Sequence, residues 1–338
     1  MDMSFSAFTF DDVMFQPQYS EIQSRSEVCL SSKIGNLDLD LPVISANMRD
    51  VTEGSMAREM FINGGLGILH RFMPIEDNVE MFLESVSKAN CHPKNIGVSV
   101  GVGDESKNRF DALYSSGART FCIDVAHGHH VNVKDMLIWI SNNYNREDMT
   151  IIAGNIATWQ AADALKDWGA GVVKVGIGPG SCCKTRENTG VGIPQLYALK
   201  EIRTMCGDIQ MIADGGIKKT GDIAKALLYA DAVMMGGFLS GTTETPGHVY
   251  EKMDGQLYKT IAGSASAESK VKSGKSNSFV EGGIREVPFR GRVKYILKKI
   301  RENVQSSFSY SGARNIKEFR ERAKLVPISG GGKKESKF

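Results

Sequence analysis

Two neighbouring cysteines, Cys182 and Cys183, lie inside a glycine-rich stretch of the sequence, GIGPGSCCKTRENTGVG, which spans residues 176–192. A thiolate is a strong nucleophile, and a glycine-rich loop brings backbone N–H groups close to it. A thiol in such a loop could therefore attack an electrophilic carbon of a ligand. A second interpretation stays open at this point, because free cysteines are often buried and unreactive.

Further glycine-rich segments follow apolar runs later in the chain, with DGG at residues 214–216 and GG at 236–237. Turns of this kind let backbone N–H groups surround an oxyanion, which predicts a site for a phosphate group. The hydroxyl of Ser181, in the cysteine loop, could add to that site. Glycines also end strands for packing reasons alone, so a purely structural role is the alternative.

A third polar cluster, DVAHGHH at residues 124–130, places three histidines close together. Their spacing matches no zinc template, and loop histidines are more often solvated or hydrogen-bonded than bound to metal. Asp124 and Ala126, which end the preceding apolar run, are the better candidates for ligand contacts.

The bulk composition excludes several classes of protein. The chain has 338 residues, of which 41% are hydrophobic and 24% charged, with a net charge of +2. Its basic residues are dispersed, which argues against nucleic acid or an anionic membrane as a partner. It contains no apolar run of membrane-spanning length and no signal peptide, so we expect a cytoplasmic protein. Its six cysteines show no disulfide or zinc spacing.

Short apolar runs alternate with amphipathic segments of helical length, which indicates a buried parallel sheet. The eight runs are 41–48, 64–70, 95–103, 120–128, 150–158, 171–180, 210–217 and 231–238. The helices between them are predicted near 54–62, 77–89, 105–116, 131–143, 159–168, 193–204 and 221–229. Eight such units predict a (β/α)8 TIM barrel. A doubly wound sheet is the alternative, but no G-x-G-x-x-G motif follows the first run.

In a (β/α)8 barrel the loops after the strands form the active-site face, so the cysteine loop and both glycine-rich turns should meet there. The alternating pattern stops near residue 253, and a small, polar, basic segment follows. We predict a mobile flap over residues 264–290, with a disordered loop as the alternative. Residues 1–328 are predicted to form a single domain with C-terminal helices, and 329–338 a disordered tail.

Together these segments resemble the family of IMP dehydrogenases and GMP reductases. The resemblance rests on FTFDDVMFQPQYSEIQSRSEV (8–28), ISANM, AGNIAT, KVGIGPGSCCKTR, IADGGI, VMMGG and SSFSYSGA (306–313). It implies a (β/α)8 barrel, a homotetramer and a nicotinamide cofactor. It also implies that Cys183, which ends the GPGS-x-C motif, attacks C2 of a purine 5′-monophosphate to form a covalent thioimidate.

Members of this family run two different net reactions from that intermediate. Two absences favour the reductases, which convert GMP to IMP and ammonia with NADPH. The chain continues from its second run to its third without the regulatory CBS domains that most of the dehydrogenases insert. Residues 264–281 contain neither the arginine nor the tyrosine of the dehydrogenase flap. A dehydrogenase without CBS domains, or a catalytically silent nucleotide-binding barrel, remains the alternative.

The resemblance also assigns roles to individual residues. Cys183, Thr185 and Glu281 are the predicted catalytic residues, with Thr185 and Glu281 handling protons; alternatively, Thr185 only shapes the loop and Glu281 is a solvated carboxylate. The predicted substrate contacts are Ser181, Asp214, Gly215, Gly216, Gly236, Gly237, Gly263, Ser264 and Gly282. The predicted NADPH contacts are Ser24, Arg25, Arg71, Asp124, Val125, Ala126, Gly176, Gly178, Ser306, Ser307, Phe308 and Ser309. A potassium ion is predicted at Gly178, Gly180, Cys183 and Arg186.

Overall fold

In a computed structural model of the chain, residues 7–262 and 284–336 are described, and their centre is a closed barrel of eight parallel strands. Two short strands precede the barrel in a hairpin and one comes before them, so the barrel strands are β4 to β11. They are β4 (Val43–Ser45), β5 (Leu66–Leu69), β6 (Ile96–Val100), β7 (Thr120–Asp124), β8 (Thr150–Ile156), β9 (Val172–Val175), β10 (Met211–Asp214) and β11 (Ala232–Met235). Because β11 pairs with β4, the sheet has no free edge.

Helices follow the barrel strands and, apart from the short helix α6 (Thr185–Thr189) in the cysteine loop, cover the outside of the sheet. They are α1 (Gly54–Ile62), α2 (Ile75–Ala89), α3 (Asp104–Ser115), α4 (Val131–Asn143), α5 (Trp159–Trp168), α6 (Thr185–Thr189), α7 (Gln195–Cys206) and α8 (Thr220–Leu227). Helix α2 leads directly from the second barrel strand to the third. The predicted barrel, with its eight strands and the helices between them, is confirmed.

Local sequence sets the ends of these helices, and α5 is an example. The Thr158 side chain accepts a hydrogen bond from the Ala161 backbone N–H at the N-terminus. At the other end Gly169 adopts a left-handed conformation, with φ of 112°, which an L side chain would disfavour. Between these two caps, Ala161, Ala162 and Leu165 face the barrel and are buried.

A hairpin closes the N-terminal end of the barrel. It consists of β2 (Ser32–Ile34) and β3 (Leu37–Leu39), whose apolar side chains pack into the barrel interior. The turn is fastened by a hydrogen bond of 2.7 Å from the Gly35 N–H to Gln210 Oε1. With this end filled, a ligand can enter the barrel only from the C-terminal ends of the strands.

A small antiparallel sheet follows the barrel, in the order β12 (Tyr250–Glu251), β13 (Leu257–Ala262) and β14 (Ile284–Pro288). The predicted flap over 264–290 therefore contains a strand at its C-terminal end. The rest of it, up to residue 283, lies outside the described residues. Val287, in β14, is buried.

The chain ends with α9 (Val293–Tyr310), α10 (Ile316–Arg322), β15 (Lys324–Pro327) and α11 (Gly330–Glu335). Strand β15 pairs antiparallel with β1 (Val13–Gln16). The predicted disordered tail, 329–338, contains α11 in this structure, where Ser329 caps the helix and Lys333 forms an ion pair with Asp12. The tail sequence is polar and has few side chains that could pack on the protein. The tertiary contact comes instead from β15, which directly precedes the tail and pairs with β1. Within the described residues, no helix is long and apolar enough to cross a membrane.

Candidate functional site

A cavity of about 620 Å³ opens at the C-terminal ends of the barrel strands, within the size range of small-molecule sites. It brings together most of the residues that the sequence predicts for the site. Those that line it are Ser181, Cys183, Thr185, Asp214, Gly215, Gly216, Gly236, Gly237, Arg71, Asp124, Val125, Ala126, Gly176, Gly178 and Gly180. Glu281, Gly263, Ser264 and Gly282 lie outside the described residues.

The two cysteines of the loop after β9 have different environments. Cys182 is only 7% exposed and packs in an apolar cluster with Val51, Ile261 and Val287. This burial raises the pKa of the Cys182 thiol, which disfavours a thiolate. Cys183 is exposed on the cavity wall, and its Sγ donates a hydrogen bond of 3.1 Å to Thr185 Oγ1. The geometry therefore favours Cys183 as the thiol that meets a ligand.

Arg186 holds the cysteine loop together from the side that faces away from the cavity. Its guanidinium donates hydrogen bonds to the carbonyl oxygens of Ile177 and Ile193, at the two ends of the loop. A Cβ at Gly178 or Gly192 would lie within 2.6 Å of the Arg186 side chain. Both glycines have positive φ, of 83° and 153°. Arg186 does not line the cavity, and its predicted share in a potassium site stays a prediction.

Three glycine-rich strand ends approach one another at one side of the cavity. A Cβ on Gly237, after β11, would lie 2.6 Å from the Ser181 hydroxyl, after β9. A Cβ on Gly215, after β10, would lie 3.1 Å from the Gly180 nitrogen. Larger residues at these positions would push the loops apart. The backbone and the Ser181 hydroxyl thus form a narrow polar recess of the kind that accommodates an oxyanion.

An ion network forms the floor of the cavity. Lys174, in β9, is 2% exposed, and its Nζ lies 2.9 Å from Asp124 Oδ1 and 2.7 Å from Asp214 Oδ2. Asn155 donates to Asp214 Oδ2 at 2.8 Å and to the Gly176 carbonyl at 2.7 Å. Burial alone would raise the pKa of Asp124, but the charge and hydrogen bond of Lys174, together with Arg71 and Asn47, outweigh burial, and the pKa lies below its usual value.

The sequence interpretation missed Lys174 and Asn155. Lys174 could have been identified from the sequence, because it lies inside an otherwise apolar strand, VVKV, and a buried ammonium group needs a carboxylate partner. It also missed Arg285, Glu286 and Arg290, from β14 and the residues after it, which line the mouth of the cavity.

Arg71 fits the prediction that an acceptor-rich ligand binds on the Asp124 side. Its Nε atom is buried and has no hydrogen-bond partner among the described residues. Its terminal nitrogen donates to the Asp124 carbonyl oxygen at 3.4 Å. An unpaired buried donor is costly unless a ligand supplies an acceptor.

Six of the predicted cofactor contacts lie outside the cavity of this chain. Ser24 caps the short 3-10 helix Arg25–Glu27, which packs against α9, the helix that carries residues 306–309. The Ser306 and Ser307 hydroxyls donate to carbonyl oxygens of their own helix. Phe308 is 0% exposed and stacks on Phe319 with ring centroids 3.9 Å apart. Its ring is therefore part of the core in this structure, and its predicted contact with a cofactor stays a prediction.

The fold and the site place this chain among the (β/α)8-barrel enzymes that carry a cysteine on the active-site face. Residues 7–338 match the family model for the IMP dehydrogenase / GMP reductase domain. The chain belongs to this family, and it is an oxidoreductase.

Individual relatives agree with the family model over almost the whole chain. A GMP reductase from Lactobacillus delbrueckii subsp. bulgaricus is 38% identical over 327 residues, 94% of each protein. One from Paracidovorax citrulli is 36% identical over 93% of this chain and 94% of its own length. An inosine-5′-monophosphate dehydrogenase from Aquifex aeolicus is 29% identical over a 464-residue alignment that covers 97% and 94% of the two chains.

Among solved structures, a cysteine-to-alanine variant of GMP reductase from Trypanosoma brucei, in complex with guanosine 5′-monophosphate, superposes with a TM-score of 0.90. It is 28% identical and covers 98% of both chains.

Proposed function

We propose that this protein reduces GMP to IMP and ammonia with NADPH. The observation that carries the proposal is the exposed Cys183 thiol, hydrogen-bonded to Thr185 and facing a cavity that glycine-rich loops border. The relatives that are 36–38% identical over most of this chain are named GMP reductases, which supports the same assignment.

In this reaction the Cys183 thiolate adds to C2 of the purine, and the amino group on C2 leaves as ammonia. Thr185 and Glu281 carry the protons that this exchange needs, so that nitrogen leaves as a neutral molecule. The product is a thioimidate that joins Cys183 to C2. When that carbon receives a hydride, its bond to sulfur breaks, IMP is released and the thiolate is restored.

The cofactor that fits the Asp124 side of the cavity is NADPH, which supplies the hydride when bound. Arg71 would hold an acceptor oxygen of the cofactor on its unpaired Nε atom. Asp124, Val125 and Ala126 line the same wall and would orient the nicotinamide against the purine. The backbone of Gly176 and Gly178 continues this wall towards the cysteine loop.

The phosphate of GMP would lie in the recess formed by Ser181, Gly215, Gly216, Gly236 and Gly237. Backbone N–H groups and one hydroxyl can satisfy a phosphate there without a buried lysine or arginine. Asp214, at the edge of this recess, would accept hydrogen bonds from the ribose.

Several finer points stay predictions from the family resemblance. They are a potassium ion bound to loop oxygens at Gly178, Gly180, Cys183 and Arg186, a homotetramer, and a cytoplasmic location. Carbonyl oxygens are suitable ligands for potassium, and the loop offers them at those positions. Within the described residues, no group of three or more His, Cys, Asp or Glu side chains could hold a metal ion.

The proposal is tested by mixing the protein with GMP and NADPH. We expect NADPH absorbance to fall and one ammonia to appear for each NADPH consumed. The control mixture contains IMP and NAD⁺ and should form no NADH. NADH formation from IMP, without NADPH consumption from GMP, would identify a dehydrogenase instead and refute the proposal.

A further inference from the structure

Lys174 lies directly between two carboxylates that point into the cavity from different strands. Asp124 ends β7 and Asp214 ends β10, and their side chains are 21% and 20% exposed, whereas Lys174 is 2% exposed. A ligand in the cavity can therefore touch either carboxylate. Lys174 also borders the cavity, but its side chain is almost fully covered, so it acts on a ligand mainly through these two partners.

The position of Lys174 is fixed by packing as well as by charge. A Cβ on Gly154, in the neighbouring strand β8, would lie 2.7 Å from the Lys174 Cβ and 2.5 Å from the Lys174 carbonyl oxygen. Asn155, the next residue, accepts a hydrogen bond from the ammonium group and donates one to Asp214. These contacts hold the start of the Lys174 side chain against β8 and its ammonium group beside Asn155 and Asp214.

Among the described residues, few other charged or titratable groups face this cluster. The Arg71 guanidinium approaches Asp124 from the second barrel loop. Cys122, in β7, is fully buried beside Lys174, and burial raises the pKa of its thiol. The pKa of Lys174 is also raised: its burial would lower that pKa, but the charges of Asp124 and Asp214 dominate. The two carboxylates thus share one close cation.

We propose that Lys174 is a positioning residue that keeps Asp124 ionised and holds the carboxylates of Asp124 and Asp214 directed into the cavity, and thereby links the substrate subsite to the cofactor subsite. This inference rests on the proposed function, in which Asp214 binds the ribose of GMP and Asp124 contacts the cofactor. An ionised carboxylate accepts hydrogen bonds from hydroxyl and amide groups, whereas a protonated one has lost part of that capacity.

Removal of the Lys174 ammonium group shifts the pKa of the neighbouring carboxyl groups in a known direction. Two neighbouring carboxylates without a cation repel each other, and the pKa of at least one of them rises. In the unaltered protein the pKa of Asp124 is lowered, so its ionised form persists into acid. In a Lys174→Met variant the ionised form of at least one carboxyl group would be lost at a higher pH than in the unaltered protein.

The test compares Lys174→Met with Lys174→Arg, which keeps the charge. Lys259→Met is a matched control, because Lys259 is also buried but bonds to the Thr245 carbonyl, at 2.6 Å, outside the cavity. GMP affinity is measured by calorimetry without NADPH, and KM and kcat by NADPH consumption, between about pH 6 and pH 8.

We expect Lys174→Met to weaken GMP binding about tenfold or more at the lower pH, and less at the higher pH, since one pKa unit corresponds to a factor of ten. Lys174→Arg should restore the pH profile of the unaltered protein. Lys259→Met should leave that profile unchanged. A folded Lys174→Met variant with an unchanged profile would overturn the inference.

A second measurement needs no ligand. A carboxyl group whose pKa is raised in the folded state stabilises the fold at low pH, and that contribution is lost as the pH rises through the raised pKa. Urea unfolding of Lys174→Met should therefore show stability that declines, relative to the unaltered protein, as the pH rises from about 4, the pKa of an unfolded aspartate, to the raised pKa of the folded state. Equal pH dependence in both proteins would refute the charge role, whether or not the protein reduces GMP.

A double variant, Lys174→Met with Asp214→Asn, covers the case in which Lys174→Met does not fold. It leaves one carboxylate with Arg71 nearby, so the like-charge repulsion is gone. We expect it to fold, to bind GMP weakly and to show the same pH profile of that binding as the unaltered protein, in which the phosphate of GMP also titrates. A profile as steep as that of Lys174→Met in the double variant would contradict the proposal.

Discussion

The Sγ atom of Cys183 lies 3.1 Å from the Oγ1 atom of Thr185, at the start of α6. The two side chains face the same cavity, so a group that bonds to the sulfur would also lie beside the hydroxyl. The neighbouring thiol, Cys182, is buried in an apolar cluster with the flap-side strands β13 and β14. Of these adjacent cysteines, Cys183 faces the ligand cavity and Cys182 packs in the apolar cluster.

The first prediction concerns this pair. Cys183→Ala should lower kcat for GMP reduction by about three orders of magnitude or more, because no covalent intermediate can form. GMP binding, measured by calorimetry, should change little. Cys182→Ala is the matched control and should keep most of the activity, with a loss of stability of about 1–2 kcal/mol from the small cavity it leaves.

The opposite pattern would show that the nucleophile is Cys182 and not Cys183. An active Cys183→Ala variant and an inactive, stably folded Cys182→Ala variant would give that result. A mass-spectrometric search for the covalent purine adduct identifies the sulfur that forms it.

The second prediction separates proton handling from hydride transfer. Thr185→Val removes the hydroxyl beside the sulfur, and we expect GMP reduction to fall by about 10²–10⁴-fold, the usual range for a general acid–base group. Hydride transfer between IMP and NADP⁺ involves no ammonia, so it should be impaired much less. Thr185→Ser should recover most of the activity because it restores the hydroxyl.

Thr204→Val controls for the loss of a threonine hydroxyl elsewhere. Its Oγ1 donates to the Lys200 carbonyl within α7, away from the cavity, and the activity should not change. Equal damage to both half-reactions in Thr185→Val would indicate that Thr185 only shapes the loop. The corresponding experiment on Glu281 is Glu281→Gln, for which we expect the same separation.

The barrel was predictable because strands buried on both faces are near-continuous apolar runs, and all eight runs became barrel strands. The position of the cavity follows from that topology, since every strand C-terminus lies on one face. Ion partners were less predictable: Lys174 and Asp214 are 40 residues apart, and the register of the parallel β9–β10 pairing brings their charges together. The helix in the C-terminal tail was missed because its anchor, the β1–β15 pairing, joins the two ends of the chain.

The third prediction tests the recess proposed for the phosphate. In Gly237→Ala the new methyl group would lie 2.6 Å from Ser181 Oγ, so the Ser181 hydroxyl must turn away or the two loops must separate. We expect KM for GMP to rise by about ten- to a hundredfold, because displacement of the hydroxyl or of the backbone donors weakens charge-assisted hydrogen bonds worth about 1.5–3 kcal/mol. Steady-state kinetics at varied GMP concentration measures this change.

Gly221→Ala is the matched control for this substitution. No heavy atom lies within 4 Å of a Cβ at Gly221, which is in α8, so KM should not change. Adding Ser181→Ala to Gly237→Ala removes the crowding atom and should recover part of the affinity. If Gly237→Ala binds GMP as well as the unaltered protein, the recess does not hold the phosphate.

The last prediction decides between two roles of Phe308. The family resemblance places it at the cofactor, whereas the structure buries it against Phe319. Phe308→Ala should therefore lower the free energy of unfolding by about 3–5 kcal/mol, as expected for a large cavity in the core. Urea denaturation measures that loss, and KM for NADPH, determined at a temperature where the variant is folded, should stay close to its original value.

Ser309→Ala is the control for Phe308→Ala. Ser309 is a neighbouring and partly exposed position, so this variant should have almost unchanged stability. Unchanged stability in Phe308→Ala, together with a large rise in KM for NADPH, would restore the cofactor role and would require α9 to move when the cofactor binds.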